Sequence, residues 1–301
     1  MKRNPVLIVL GTAVALGALF VLLLALASFL SGNKRRSDSL QVVGPDKVAL
    51  VRIEGLLVTS EKVVEEVNDY ADDASIKAII LRIDSPGGGV VASQEIYNAV
   101  KNARKEGKKV VASMGSVAAS GGYYIAAAAD KIVANPGTLT GSIGVIMEFA
   151  SVEKLLEKIG VKGMVVKAGE YKDMGSPFRD MTDQEKKLLQ GVIDDVHAQF
   201  IDAVAEGRNL PVADVKAIAD GRIFTGRQAL ALKLVDRMGD LSESIQFAGA
   251  LAGIKGKPRI VEKKKKIPFL DYFKEETATW ISEVISRGFS RNSVSLQYRY
   301  Q

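Results

Sequence analysis

The chain opens on a long uncharged block, residues 5–30, and only then turns to mixed patterning. An apolar stretch of about 20 residues can cross the hydrocarbon layer as a helix. A secretory h-region runs only about 7–15 residues before a small-residue cleavage site. Ala25-Leu26-Ala27-Ser28 imitates such a site, but the length of the block favours an uncleaved N-terminal transmembrane helix over a removed leader. Further on, apolar runs of strand length stand at 48–53, 78–83, 109–113 and 131–134. Between them, residues 61–73 place Val63, Val64 and Val67 on one helical face, and 91–104 and 123–129 also read as helices. Strands and helices in alternation make βαβ units, hence parallel strands covered by helices.

The pattern continues with a chain break at Pro86-Gly87-Gly88-Gly89 and a strand-like run at 164–167. Residues 182–206 form a long amphipathic helix with Leu188, Leu189, Val192 and Val196 spaced for one face. Shorter helices are expected at 212–219 and 226–232. No internal repeat is visible. The organisation predicted is an anchor with basic flanks (1–36), a polar linker (37–46), one α/β domain (47–255) and a C-terminal extension (256–301). The extension carries a lysine run, Lys263–Lys266, which reads as a solvated face, with attraction to anionic lipid as the alternative. It also holds an apolar stripe of Trp280, Ile281, Val284 and Ile285.

The net charge of +6 first points to nucleic acid, but its placement removes that reading. Lys2, Arg3, Lys34, Arg35 and Arg36 bracket the apolar block without any acid, leaving +1 for all that follows. No nucleic-acid partner is therefore expected. The brackets are nearly balanced, so charge alone does not orient the anchor. Cysteine is absent, which excludes disulfides, a thiolate nucleophile and cysteine metal sites. The single histidine, His197, excludes a multi-histidine metal site. It lies within the long amphipathic helix, where a packed or surface residue is the plainer reading than a catalytic base. No cofactor and no metal are expected.

Two glycine-rich turns could carry chemistry. Asp84-Ser85-Pro86-Gly87-Gly88-Gly89 follows a strand and precedes a helix. Consecutive glycines let backbone N–H groups approach a ligand closely, and a helix start behind them adds partial positive charge. The turn lacks the ending of a P-loop and the spacing of a dinucleotide site. A ligand-free βα turn accounts for it equally well. Ala118-Ala119-Ser120-Gly121-Gly122 puts Ser120 among small neighbours at a helix start, with the N–H groups of Gly121 and Gly122 available to an oxyanion. A simple serine N-cap is the competing reading. A nucleophilic serine needs a base, and with His197 set aside a lysine is the alternative. Free lysine has a pKa of about 10.4 and must lose solvation to act. Lys172, in the loop Gly169-Glu170-Tyr171-Lys172-Asp173-Met174-Gly175-Ser176-Pro177, is the candidate. Glu170 and Asp173 support the competing reading, a solvated loop lysine.

Four blocks in this order (Asp84 to Gly89, Met114 to Tyr124, Leu139 to Val145, Tyr171 to Pro177) resemble the signal peptide peptidase A type of the S49 serine protease family. Asp220 to Ala229 and Leu234-Val235-Asp236 match its pattern too, so the resemblance covers about residues 45–245. It implies a Clp/crotonase-like α/β fold of stacked βαβ units and a membrane-anchored endopeptidase with a Ser-Lys dyad. Ser120 would be the nucleophile, Lys172 the general base and Ser142 the residue holding the lysine amine. Gly88, with Gly121, would form the oxyanion hole. The implied partners are apolar peptides such as remnant signal peptides, the lipid bilayer and further copies of the chain in a ring or dome. There the lysine of one subunit can complete a neighbour's site, and the C-terminal tail resembles tails that reach a neighbour's cleft. The implied location is the outer face of a bacterial cytoplasmic membrane. Alternatives are a stomatin-type membrane-protein protease, a crotonase-like acyl-CoA enzyme and a catalytically silent scaffold.

Overall fold

A computed structural model of the chain describes residues 46–263 and 297–299. The expected transmembrane helix, the linker up to residue 45 and the stripe from Trp280 to Ile285 lie outside the described residues. Among the described residues no helix is long and apolar enough to cross a membrane.

Three strands form the middle of the main sheet: β1 (Lys47–Glu54), β2 (Ile76–Ser85) and β4 (Lys109–Ala119), the last two separated by a short strand β3 (Gly87–Gly89). They pair in parallel, β1 with β2 and β2 with β4. Their near-continuous apolar sequences suit strands buried on both faces. Alternation along β2 divides two cores: Ile79, Leu81 and Ile83 face one cluster, Ala78 and Ile80 the other. The larger cluster takes apolar residues from α1 (Glu61–Asp72), α2 (Val90–Lys105) and α3 (Gly121–Ala127). It also takes the C-terminal half of α5 (Asp183–Arg208), the helix that follows the short α4 (Glu153–Lys158). After α6 (Val212–Lys216) and α7 (Gly226–Ala231) comes α8 (Leu241–Leu251), which covers the opposite face through Ala248, Leu241 and Ile245.

The sheet widens beyond β4. Early in that strand Val111 to Ser113 pair with β5 (Lys131–Ala134), which also pairs with β8 (Arg237–Met238). At its far end Val117 to Ala119 pair with β6 (Leu139–Gly141), which carries β7 (Ile223–Thr225) antiparallel on its outer edge. On the other side β9 (Arg259–Val261), beyond the expected domain limit at 255, joins β1 in parallel. This mixed α/β arrangement fits the Clp/crotonase-like class.

Several expectations are corrected. Pro86 to Gly89 is no break, because residues 87–89 form β3. Residues 164–167 form no strand; Met164 and Val166 are exposed, so the apolar run reflects surface. The apolar face of α5 is buried only from Val196 onward, with Leu188 and Val192 exposed. Caps fix the ends of the helix: Thr182 and Glu185 form a capping box, and Asn209 closes it in the left-handed region. Its inner half is anchored by Phe200, fully buried, whose ring lies 5.0 Å from Tyr124 of α3.

Candidate active site

The site is built where β2 and β4 end. The β2–β4 register shifts between Ile83 and Ser85, so β4 bulges there. Asp84 spans the bulge: its Oδ1 accepts the Val117 N–H at 3.0 Å, and a Cβ on Gly115 would meet its Cγ at 2.7 Å. Asp84 is thus a structural part of the first glycine turn. Ser85, fully buried, accepts the Gly87 N–H at 3.1 Å and turns the chain into β3.

One edge of β3 is taken by Leu57. Its N–H donates to the Gly87 carbonyl at 2.8 Å, and its carbonyl accepts the Gly89 N–H at 2.7 Å. Neighbouring residues of a strand point their backbone polar groups in opposite directions. Gly88 therefore turns its N–H and C=O away from Leu57. On that free side runs β10 (Gln297–Arg299), antiparallel, with Tyr298 opposite Gly88. The same strand contacts α3.

The second turn presses on the first. A Cβ on Gly121 would lie 2.4 Å from the Ser93 hydroxyl and 3.3 Å from the Gly87 Cα. Only glycine admits this contact. Ser93, buried in α2, donates to the Gly89 carbonyl at 2.9 Å and so ties the turn to its helix. Ser120 precedes Gly121 with φ 53° and ψ −118°, a region rarely occupied by serine. Such conformations cost about 1–3 kcal/mol and concentrate at functional sites. Its N–H donates to the Gly141 carbonyl at 2.8 Å, and its carbonyl accepts the Tyr124 N–H at 2.8 Å. The side chain makes no N-cap bond, which removes the capping explanation for this serine. Its Oγ is fully buried and, among the described residues, has no hydrogen-bond partner.

Ser142, also at positive φ (50°) and largely buried, follows β6 directly. It lines a cleft of about 970 Å³ with Val145, Met147, Arg222 and, from α5, Ile193 and His197. His197 is half-buried on that helix, and its Nε2 is buried without a partner.

Lys172 stands apart. It is exposed, in a run of turns between residues 161 and 181 that contains neither helix nor strand. Among the described residues no hydrogen bond joins its side chain to Ser120. Its neighbours are held firmly. Tyr171 accepts a hydrogen bond from Gln184 at 2.6 Å, at the start of α5. Asp173 receives the Arg179 guanidinium through Nε at 2.9 Å and Nη2 at 2.8 Å, and Lys167 Nζ at 2.5 Å. Arg179 also donates to Glu185, through Nη1 at 2.9 Å and again through Nη2. The hydrogen bonds from Arg179 hold the Glu185 carboxyl down to about 2 and, with those from Lys167, hold Asp173 well below the usual carboxylate range. From Gln184 to Phe200, where α5 meets the helix after Ser120, the axis runs roughly 24 Å. The structure thus brings Ser120, Gly121, Gly88 and Ser142 to one end of the sheet and leaves Lys172 of the same chain on its outer arm. The Arg179 network was not anticipated; its one sequence signal was the Thr182-x-x-Glu185 capping pattern.

These features define a class first. The model of the Clp protease family matches residues 57–138, the stretch that holds both glycine turns. The model of peptidase family S49 matches residues 102–255. A Synechocystis sp. protein that carries a protease name is 48% identical over 209 residues, 69% of this chain and 75% of that protein. An Enterococcus faecium protein named as a signal peptide peptidase is 40% identical over 174 residues, 58% of this chain and 51% of that one. Protease 4 of Haemophilus influenzae is 32% identical over 251 residues, 80% of this chain and 40% of that protein. The chain belongs to peptidase family S49, and it is a peptidase.

Proposed function

We propose that the chain is a membrane-anchored serine endopeptidase that cuts extended apolar peptides, remnant signal peptides among them. The observation that carries this reading is the pairing of β10 with β3: an extended segment lies antiparallel along Gly88 and beside α3. A substrate taken up in the same way would present its backbone to the Gly88 N–H and its scissile carbonyl near Ser120. The exposed Leu56, Val58 and Val91 around β3 offer apolar side-chain contacts. Ser120 Oγ passes its proton to the uncharged Lys172 amine and attacks the carbonyl carbon. The oxyanion that forms is met by the N–H groups of Gly88 and Gly121. The lysine then returns the proton to the leaving amine, and water releases the acyl group by the same relay. Ser142 holds the amine in line.

The lysine comes from a neighbouring copy in a ring or dome. Its exposure in its own chain supports this, as does the apolar surface on the same arm: Met164, Val166, Ile159, Leu155 and Phe178. Exposed apolar side chains gathered in one segment of the chain suit an interaction surface. Burial between copies would remove water from the ammonium and favour the free amine. The N-terminal block anchors the assembly, with the peptidase domain on the outer face of a bacterial cytoplasmic membrane.

The test uses full-length Ser120→Ala and Lys172→Ala chains and a synthetic leader fragment. Each alone should be inactive, and co-assembled mixtures should regain cleavage, since some sites then combine an intact serine with an intact lysine. Activity of either chain alone would sink the dyad, and a dead mixture would sink the contribution from a neighbour.

A further inference from the structure

The lysine assigned above lies in turns alone, so something other than a helix or strand must fix it. We propose that Arg179 is a positioning residue: it ties Asp173 to the start of α5, sets the turn that carries Lys172, and keeps the Asp173 carboxylate off the lysine amine. This inference rests on the reading of Lys172 as the base.

The backbone bonds within the turn are local. Lys172 N–H donates to the Gly169 carbonyl at 3.3 Å, Met174 N–H to Tyr171 at 3.1 Å, and Ser176 N–H to Asp173 at 3.0 Å. These are local bonds that bend the chain without attaching it to the domain. Attachment comes from the side chains. The Arg179 fork grips both Asp173 oxygens, and its other edge grips Glu185, which is buried and also accepts the Thr182 N–H at 2.8 Å. A planar guanidinium can serve two carboxylates at once in fixed geometry; an ammonium cannot. Two side-chain paths therefore run from the neighbours of Lys172 into the 26-residue helix: Tyr171 to Gln184, a single bond, and Asp173 through the forked Arg179 to Glu185.

The second role follows from chemistry. A carboxylate within about 4–6 Å of an amine favours its protonated form, which is useless as a base. Asp173 is the next residue to Lys172, and Glu170 lies two before it. The groups that face Asp173 are Arg179 and Lys167, with Glu185 across the guanidinium and Tyr171 bonded to Gln184. Both Asp173 oxygens are thus already engaged by cations other than Lys172. Removing Arg179 would leave Lys167 on Oδ1 and strip Oδ2 of its cation, beside the amine that must lose its proton.

The experiment measures leader-fragment cleavage by the full-length assembly across pH, with thermal unfolding followed in parallel. Arg179→Ala should lower kcat by about tenfold or more at neutral pH, since small misplacements of a catalytic group are costly. It should also move the rising limb of kcat/KM toward higher pH by about one unit. Adding Asp173→Asn to that chain should return the limb to its original position while kcat stays low, because the turn remains untied. A purely structural role would not restore the profile. A limb unmoved in Arg179→Ala, or one not restored in the double variant, overturns the proposal. Should Arg179→Ala not accumulate as folded protein, Glu185→Gln carries the test. It keeps the Asp173 pair, so kcat should fall with the limb in place, and a shifted limb or an unchanged kcat overturns the idea. Lys172→Ala reports on the underlying reading alone: if that chain cleaves normally, Lys172 is not the base, whatever Arg179 does.

Discussion

Ser120 and Ser142 stand side by side because the residues before them, Ala119 and Gly141, are partners across the parallel strands β4 and β6. Neighbouring strands lie about 4.8 Å apart. Both strands leave the sheet at that point through a serine with φ near 50°, and the Ser120 N–H donates to the Gly141 carbonyl at 2.8 Å. Two serines at the ends of adjacent strands are thus each turned out of the sheet by the same backbone device, which is where the proposed mechanism sets the amine.

This relationship separates two substitutions that are chemically alike. On the proposed mechanism Ser120→Ala removes the attacking atom and should cost at least about 10⁴-fold in kcat. On the same mechanism Ser142→Ala leaves the nucleophile and removes only the hydrogen bond proposed to hold the amine. It should cost about 10- to 100-fold, close to the free energy of one hydrogen bond to a charged group. Steady-state cleavage of a leader fragment measures both. Equal losses in the two variants would remove the distinction between attacking and supporting serine.

Gly121 makes the second prediction. A methyl there would sit 2.4 Å from the Ser93 hydroxyl and would press on Gly87. If Gly88 serves the oxyanion as proposed, Gly121→Ala should displace its N–H and lower kcat by about 10²-fold. Replacing Ser93 with glycine in the same chain opens the space and should recover part of the rate. If the double variant is no better than the single, the contact with Ser93 is not the cause.

Much of this was legible in the residues. The strands 48–53, 78–83 and 131–134 are short apolar runs between turn signals, and burial on both faces explains why they read so clearly. Both glycine turns were visible because close approach of two backbones admits no side chain. What escaped were features that depend on partners distant in sequence. β6 and β7 are three residues each and exist only through pairing with β4 and with each other. The exposed run 164–167 has strand composition but no partner strand, so the pattern alone misleads. The outer half of α5 shows the same limit: Leu188 and Val192 have core spacing and no core beneath them. The Arg179 network joins residues whose charges, read along the chain, look like an ordinary solvated loop.

The inner half of α5 should behave as core. Phe200 is fully buried against Tyr124, which in turn meets Tyr97 at 5.0 Å. Phe200→Ala leaves a cavity under the helix that follows Ser120 and should cost about 3–5 kcal/mol. Val192→Ala, on the exposed half of the same helix, should cost under about 1 kcal/mol in the isolated chain. Urea unfolding of the two variants compares them, and a similar loss at both sites would contradict the division of the helix.

The pairing of Glu185 with Arg179 also sets a dependence on acid. Hydrogen bonds from Arg179 and from the Thr182 backbone keep the Glu185 carboxyl at about 2 in the folded protein. In the unfolded chain it titrates at about 4.3. A group with a lowered folded value binds its proton more readily when unfolded, so its contribution to stability is complete above about pH 4.3 and fades as the pH falls toward 2. Glu185→Gln keeps an oxygen for the capping box and loses the charge. The gap in unfolding midpoint between the wild-type chain and this variant should therefore be constant from about pH 8 to pH 5. It should narrow below about pH 4 and close near pH 2, as the wild-type carboxyl takes up its proton. Thermal unfolding at a series of pH values at fixed ionic strength measures the gap. A gap that stays the same down to about pH 2 would mean that Glu185 stabilises the start of α5 through capping and packing, with no part played by its charge.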